Sequence, residues 1–504
     1  MKISPHVGLY SSSISSITAA LFLFPPCLQA KAVFAHFMMS NTANYTLATW
    51  RTDISAAKAA NIDAFALNTG FGMRYTSKSL SDSFIAAEEL DFKLFLSLDY
   101  ASSASDSENN RTARWPQSEV VELLNQYISH KAYFRHESRP LVSTFEGFEA
   151  AKDWTDIKQD VKEEIIFIPD WTSVGPERAS NVSSIDGLVC WNAWPEGTKT
   201  MDTTDDDAYR IILDSRGKDK LYIMPVSPWF YTNLPQFNKN WVWRGDDLWY
   251  ARWQQVLNLD PQPDFVEIIS WNDYGESHYI GPLHEDEVGT EILKAAGAPF
   301  DYVDEMPHDG WRVLLPFLIE QYKARTGEQR EKVEIKEELL SVWYRLSPAK
   351  ACEHGNTTGN TDDQHQTLLD PGVVLEDKVF YSALLEDGAD VSVVIGGDNG
   401  SGPGWTNIPE NGRGVYHGSS GMGDREGEVV VTLSRNGETF AEMKGRNIEL
   451  QRECPLNKTN WNAWAAVGNA TAKTRENGIG GPALPLKDWM VIGLVMAVGL
   501  FAGF

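Results

Sequence analysis

Phe265-Val266-Glu267-Ile268-Ile269-Ser270-Trp271-Asn272-Asp273-Tyr274-Gly275-Glu276-Ser277-His278-Tyr279-Ile280 is the stretch on which the fold and the chemistry both turn. Its first five residues read as a buried strand, and the next eleven bring two carboxylates, an imidazole and three aromatic rings to the place where that strand meets solvent. Asp273 and Glu276 supply the pair that glycoside chemistry needs, one carboxyl held protonated for the leaving oxygen and one held ionised for water or the anomeric carbon. Three residues of extended chain reach at most about 10 Å, so their spacing admits the close pair of a retaining enzyme and the wider pair of an inverting one. An ordinary charged turn after a strand is the bland alternative, and the surrounding sequence has to decide between them.

Upstream, short apolar runs recur at Val33 to Phe37, Ile62 to Leu67, Lys93 to Leu98, Leu141 to Phe145, Ile165 to Ile168, Gly187 to Trp191 and Leu221 to Val226, with Phe265 to Trp271 the last. Helix-like stretches such as Thr46 to Ala60, Ser118 to Ala132, Asp205 to Asp214 and Asp246 to Leu257 lie between them. The runs are nearly continuous in apolar residues, as in strands covered on both faces, and crossovers of this length suit parallel pairing. The pattern predicts an α/β fold, a (β/α)8 barrel of the TIM type, with a doubly wound open sheet as the competing topology.

In such a barrel the chemistry gathers where strands end. The polar residues at the ends of the runs are His36 within the first, then Asn68, Asp99, Glu146, Asp170, Asn192, Ser227, and finally Asp273 with Glu276. Asp63 opens its strand and belongs on the opposite, structural face. Each of these residues alone reads equally as a cap or turn, and it is their convergence on one rim that points to a site. Position does not rank the five carboxylates; the aromatic residues and His278 around Asp273 and Glu276 single them out, because apolar surroundings raise the pKa of an acid they desolvate. Trp194, Trp229, Tyr231 and Trp271 are candidate platforms for sugar faces, against the reading that they are core.

Several of these segments resemble glycoside hydrolase family 71, the fungal α-1,3-glucanases called mutanases. The resemblance is carried by Lys31-Ala-Val-Phe-Ala-His36-Phe-Met, Ile62-Asp-Ala-Phe-Ala-Leu-Asn68, Met224-Pro-Val-Ser-Pro-Trp-Phe-Tyr231, Trp241-Val-Trp-Arg-Gly-Asp246 and Trp271-Asn-Asp-Tyr-Gly-Glu-Ser-His-Tyr279. It spans roughly residues 31 to 330 and continues less clearly to about 476. It implies endo-hydrolysis of α-1,3-glucan with inversion, Glu276 as general acid and Asp273 as base, with the roles exchangeable, and Asp99 as a third acid. Around Asp99 this chain reads Ser97-Leu98-Asp99-Tyr100, where relatives tend to carry Phe and Met, a departure that touches packing and leaves the carboxylate in place. No metal and no cofactor is expected, since the sequence carries no zinc-like Cys or His spacing, phosphate loop or nucleophile elbow.

The first thirty residues, with Lys2, the apolar Ile17 to Phe24 and the small Ala30, read as a secretory signal, and seven sequons from Asn44 to Asn469 fit a glycoprotein. Trp489 to Phe504 is apolar and uncharged, and no basic residue comes after it; residues 477–504 read as a GPI-attachment signal, or alternatively as a short membrane tail. A secreted monomer held at the wall or plasma membrane is therefore expected. The formal charge of −26 argues against nucleic acid and anionic membrane surfaces as partners, while a neutral glucan sets no such condition. Residues 31–332 are read as the barrel and 333–476, where short alternating runs replace helical periodicity, as a β-sandwich. Cys352 and Cys454 flank that second unit and are expected to pair, whereas Cys190 reads as a buried hydrophobe. A wall-anchored glucan-binding protein and a transglycosylase remain as other functional classes, because the sequence cannot say whether water or a sugar hydroxyl accepts the cleaved unit.

Overall fold

The computed structural model describes residues 31–470 apart from 74–75, 104, 107–110, 113–114, 218, 285–287, 325, 353–368, 401–403 and 452–457. The expected signal, the C-terminal tail and Cys454 lie outside the described residues. Eight strands run parallel: β1 (Ala32–Met38), β2 (Ala64–Phe71), β3 (Lys93–Ser103), β4 (Arg139–Phe145), β5 (Ile166–Phe167), β6 (Gly187–Val189), β7 (Leu221–Val226) and β8 (Phe265–Ile268). They form a curled sheet in which β4, β3, β2, β1, β8, β7 and β6 are neighbours in that order, and β5 pairs with β4. Just past β5, Asp170 bridges Phe145 on one side and Val189 on the other. Continuous apolar runs are what such strands require: all six residues of β7 and all four of β8 are buried.

Helices cover the outer face, and the first of them is started by local chemistry. Thr46 caps α1 (Leu47–Ala59) by accepting from the Thr49 N–H while the Thr49 hydroxyl reaches back to the Thr46 N–H. Between α2 (Thr204–Arg216) and α3 (Leu248–Asn258) lies a fully buried ion pair. Arg252 donates through Nη1 and Nη2 to the two carboxylate oxygens of Asp206, each at 2.7 Å, and through Nε to the Pro225 carbonyl of β7 at 2.9 Å. The Tyr222 hydroxyl gives Asp206 a further donor at 2.6 Å. A planar fork that satisfies a carboxylate twice and a strand carbonyl once locks two helices to one strand. Asp63 sits at the opening end of β2, held by Lys323 Nζ at 2.6 Å and by the Val33 N–H at 2.8 Å.

The C-terminal unit is antiparallel. Its strands are β9 (Leu339–Arg345), β10 (Lys378–Leu385), β11 (Asp390–Ile395), β12 (Gly404–Asn407), β13 (Gly414–Gly421), β14 (Gly427–Arg435), β15 (Glu438–Ile448) and β16 (Ala463–Ala470). Rather than two separately bonded layers they follow one order, β11-β14-β15-β16-β9-β10-β13-β12, in which β16 pairs with β9 through residue 468 and passes to β15 at 469–470. The two-residue period of β9 divides its side chains cleanly. Leu340, Val342 and Tyr344 enter the unit's own core, while Trp343 joins the core shared with the parallel sheet. Across this seam Trp343 Nε1 donates to the Asp246 carbonyl at 2.8 Å, Trp229 Nε1 to the Trp461 carbonyl at 2.9 Å, and Ser341 Oγ to the Gly310 carbonyl at 2.7 Å. Gly310 has to be glycine, since a Cβ there would meet the Ala466 nitrogen at 2.6 Å. Cys352 is disulfide-bonded; Cys190 is a buried free thiol whose pKa burial pushes up.

Arg252→Ala leaves Asp206 buried without its counter-charge and is expected to cost about 3–5 kcal/mol of unfolding free energy. Chemical denaturation of the purified protein measures it. A loss below about 1 kcal/mol would mean that the pair does not clamp the helices.

Candidate active site

Strand β8 ends at Ile268, and the chain turns back over it at once: the Ser270 N–H donates to the His278 carbonyl and the Ile280 N–H to the Ser270 carbonyl, both at 2.9 Å. This closed loop holds its side chains in register. Ser270 Oγ accepts from the Asp273 N–H at 2.9 Å and lies 2.9 Å from His278 Nδ1. Asp273 Oδ1 accepts from the Glu276 N–H at 3.0 Å, and His278 Nε2 lies 3.1 Å from Glu276 Oε2 and 3.9 Å from Asp273 Oδ2. Asn272 ties the loop to β1, accepting from the Met38 N–H at 2.7 Å and donating to the Met38 carbonyl at 3.2 Å.

Into this cluster comes a lysine that sequence reasoning does not single out. A hairpin formed by Tyr231–Leu234 and Lys239–Val242 comes after β7 and is tied to the loop by the Tyr231 N–H, which donates to the Glu276 carbonyl at 3.1 Å. It presents the Lys239 ammonium to Glu276 Oε1. Asp273, Glu276 and His278 each have an atom within 4.8 Å of the others, close enough to share a cation, and the cation found there is Lys239. Asp99 belongs to the same electrostatic group, since its charge acts on Lys239 together with those of Glu276 and Asp273.

The surroundings drive the two carboxyls apart. Desolvation and the neighbouring charge of Glu276 raise the pKa of Asp273. Burial pushes Glu276 the same way, but Lys239 and His278 together overcome it and hold Glu276 below the usual carboxylate range. Each side chain keeps only 16% of its surface exposed, enough to meet a ligand and little enough for these effects to matter.

The other expected site residues divide into groups. His36 Nδ1 lies 2.8 Å from Glu267 Oε1 at the buried floor of the site, with the Trp191 ring edge-on at 4.8 Å. Glu267, inside an apolar run, gives no signal of its own. Asn68 is buried at the C-terminal half of β2. Asp170 is fully buried, its pKa pushed well up by desolvation; Oδ1 accepts from the Thr172 N–H and hydroxyl, while Glu146 accepts from the Ser173 N–H at 3.2 Å. Asn192 is exposed and donates to Asp205 at 2.8 Å. Trp194 lies over His278, ring centroids 5.3 Å apart.

Three expected platforms are instead packing residues: Trp229, Tyr231 and Trp271 are each at most 1% exposed. Trp229 is sealed under the C-terminal unit, Tyr231 packs on Tyr302 at 5.0 Å, and Trp271 packs on Phe65 at 5.0 Å. They come after their strands, as a platform should, but the elements that cover them are not visible from those strands alone.

The profile of Glycosyl hydrolase family 71 matches residues 29–478. The glucan endo-1,3-alpha-glucosidase agn1 of Schizosaccharomyces pombe is 32% identical over 450 residues, covering 87% of this chain and 94% of that protein. A mutanase of Penicillium rubens is 36% identical over 338 residues, covering 65% of this chain and 68% of its own. Among solved structures, a GH99 endo-alpha-mannosidase from Bacteroides thetaiotaomicron aligns with a TM-score of 0.41 at 13% identity, covering 60% of this chain and 98% of that one. Matched by one family profile over nearly its whole length, and by a relative covered almost end to end, the chain belongs to glycosyl hydrolase family 71.

Proposed function

We propose that this enzyme cleaves α-1,3-glucan of the fungal wall internally, with Asp273 and Glu276 as its proton-transfer pair. The observation that carries the reading is the opposed electrostatics of two adjacent carboxyls, the pKa of Asp273 raised by desolvation and by Glu276, that of Glu276 lowered by Lys239 and His278 against its own desolvation. The substrate is taken from the relatives, which are named for α-1,3-glucan and include an ascus wall endo-1,3-alpha-glucanase. Closure of the parallel sheet into a (β/α)8 barrel is supported by the bridges at Asp170. A domain division near 332 with a sandwich-like second unit is supported by the separate core of that unit. Secretion and a C-terminal anchor rest on the sequence patterns at the two ends, and glycosylation on the seven sequons from Asn44 to Asn469.

In this reading Asp273 protonates the glycosidic oxygen as the bond to the anomeric carbon lengthens, and Glu276 takes a proton from the attacking water. That exchanges the roles implied by the resemblance, and the exchange is due to Lys239. Inversion leaves room for one water between base and sugar. Proton NMR of the first-formed reducing end decides, a β anomer meaning inversion and an α anomer retention.

Asp273→Asn and Glu276→Gln are each expected to lower turnover of the glucan by about 10²–10⁴ without loss of fold. An aryl α-glucoside whose leaving group needs no proton should restore Asp273→Asn far more than Glu276→Gln; rescue of Glu276→Gln alone would return the acid role to Glu276. The rate should fall at low pH as Glu276 gains a proton and at high pH as Asp273 loses its own, with the two apparent pKa values belonging to the pair. Lys239→Met removes the charge that holds Glu276 down, so the acidic limb of the kcat/KM profile should move to higher pH. An unmoved limb would contradict the assignment.

A further inference from the structure

Tyr302 is fully buried, and its hydroxyl stands between the two segments that build the site. It donates to the Gly275 carbonyl at 2.7 Å, within the stretch from Asp273 to Glu276, and accepts from the Asn233 N–H at 3.4 Å. In the hairpin Asn233 pairs with Asn240, one step from Leu234 opposite Lys239. We propose that Tyr302 is a positioning residue for the proton-transfer pair: its hydroxyl fastens the hairpin that carries Lys239 to the loop that carries the carboxyls, and so keeps the ammonium on Glu276. The inference rests on the roles given to Asp273 and Glu276 above.

The joint is closely fitted. The bond from the Tyr231 N–H to the Glu276 carbonyl closes the same seam, and a Cβ on Gly275 would stand 3.1 Å from Leu234 Cδ1, so hairpin and loop touch where Tyr302 grips. The tyrosine is itself held. Its ring meets that of Tyr231 edge-on at 5.0 Å. The Asp301 carboxylate accepts from the Val303 N–H at 2.9 Å and the Asp304 N–H at 3.0 Å, turning the chain directly after it. Its carbonyl accepts from the side-chain amides of Asn460 at 3.2 Å and Asn462 at 2.9 Å, just ahead of β16. Burial pushes the Tyr302 pKa well up, so the proton it gives to Gly275 stays in place. Glu276 is faced by Lys239 from the hairpin and by His278 and Asp273 from its own loop, while the charge of Asp99 acts on Lys239. A slackened hairpin therefore weakens the Lys239 contact and leaves the contacts within the loop, and Glu276 gains its proton more readily.

Tyr302→Phe removes the hydroxyl and keeps the ring. Tyr322→Phe is the control, because that hydroxyl is also buried and donates to a carbonyl, that of Pro263 at 2.8 Å, at the opening end of β8 and away from the site. On a soluble α-1,3-gluco-oligosaccharide, kcat of Tyr302→Phe should fall about five- to tenfold with KM within about twofold, as loss of one buried hydrogen bond at the joint predicts. The acidic limb of its kcat/KM profile should move to higher pH. Tyr322→Phe should lose comparable thermal stability and move neither kcat nor the limb. If Tyr302→Phe loses stability like the control but keeps the wild-type kcat and pH profile, or if it raises KM alone, the positioning role is overturned. A titration that needs no turnover separates this from the assignment of the pair: carbon-13 NMR of protein labelled in its glutamate carboxyls, with Glu276→Gln identifying the signal. If the wild type proves inactive on the glucan and the Glu276 carboxyl still titrates at higher pH in Tyr302→Phe, hydrolysis falls and the joint stands. If the carboxyl titrates alike in both proteins, the joint falls, whatever the wild type hydrolyses.

Discussion

Two carboxyl groups that lie side by side and largely out of water cannot both be charged unless a cation joins them. That constraint organises the centre of this molecule. Lys239 resolves it unequally, touching Glu276 rather than sitting midway, and the asymmetry is what drives the pKa values of the two carboxyls in opposite directions. His278 reinforces the imbalance, because its Nε2 is 3.1 Å from Glu276 and 3.9 Å from Asp273.

The scaffold can be understood as the means of holding that contact. Parallel strands deliver the loop after β8 to one rim, and its backbone bonds to β1, to the hairpin and to itself fix three side chains within one short segment. The lysine arrives on a separate excursion whose own strands pair from Tyr231 opposite Val242 to Leu234 opposite Lys239. Below them the His36–Glu267 pair fills the buried floor with a satisfied polar contact, and the buried Arg252–Asp206 clamp keeps the neighbouring helices in place.

Much of this is legible in the sequence. The eight runs correspond to the eight parallel strands, with shifts of a few residues at their ends, because covered strands write their burial directly into composition. Asp273, Glu276 and His278 are visible because they are neighbours in the chain as well as in space. Lys239 is not, since it stands 37 positions from Glu276 and nothing marks it off from the other cations. Glu267 is hidden by the apolar run around it. Trp229, Tyr231 and Trp271 pass for sugar platforms for a related reason: local sequence shows that a ring comes after a strand, and only tertiary structure shows what lies on top of it. In the C-terminal unit, five alternating runs are recognisable, while β12, β13 and β16, rich in Gly and small residues, give too little periodicity to be seen.

The seam beneath Trp229 has an evolutionary side. Its indole N–H reaches the C-terminal unit through Trp461, and its carbonyl receives the N–H of Trp194, so one residue joins the distal sheet to the ring that lies against His278. A lineage that shed or exchanged the C-terminal half would lose the acceptor of that indole N–H and uncover Trp229 at the same time. Replacing that half alone would therefore disturb the ring packed on His278.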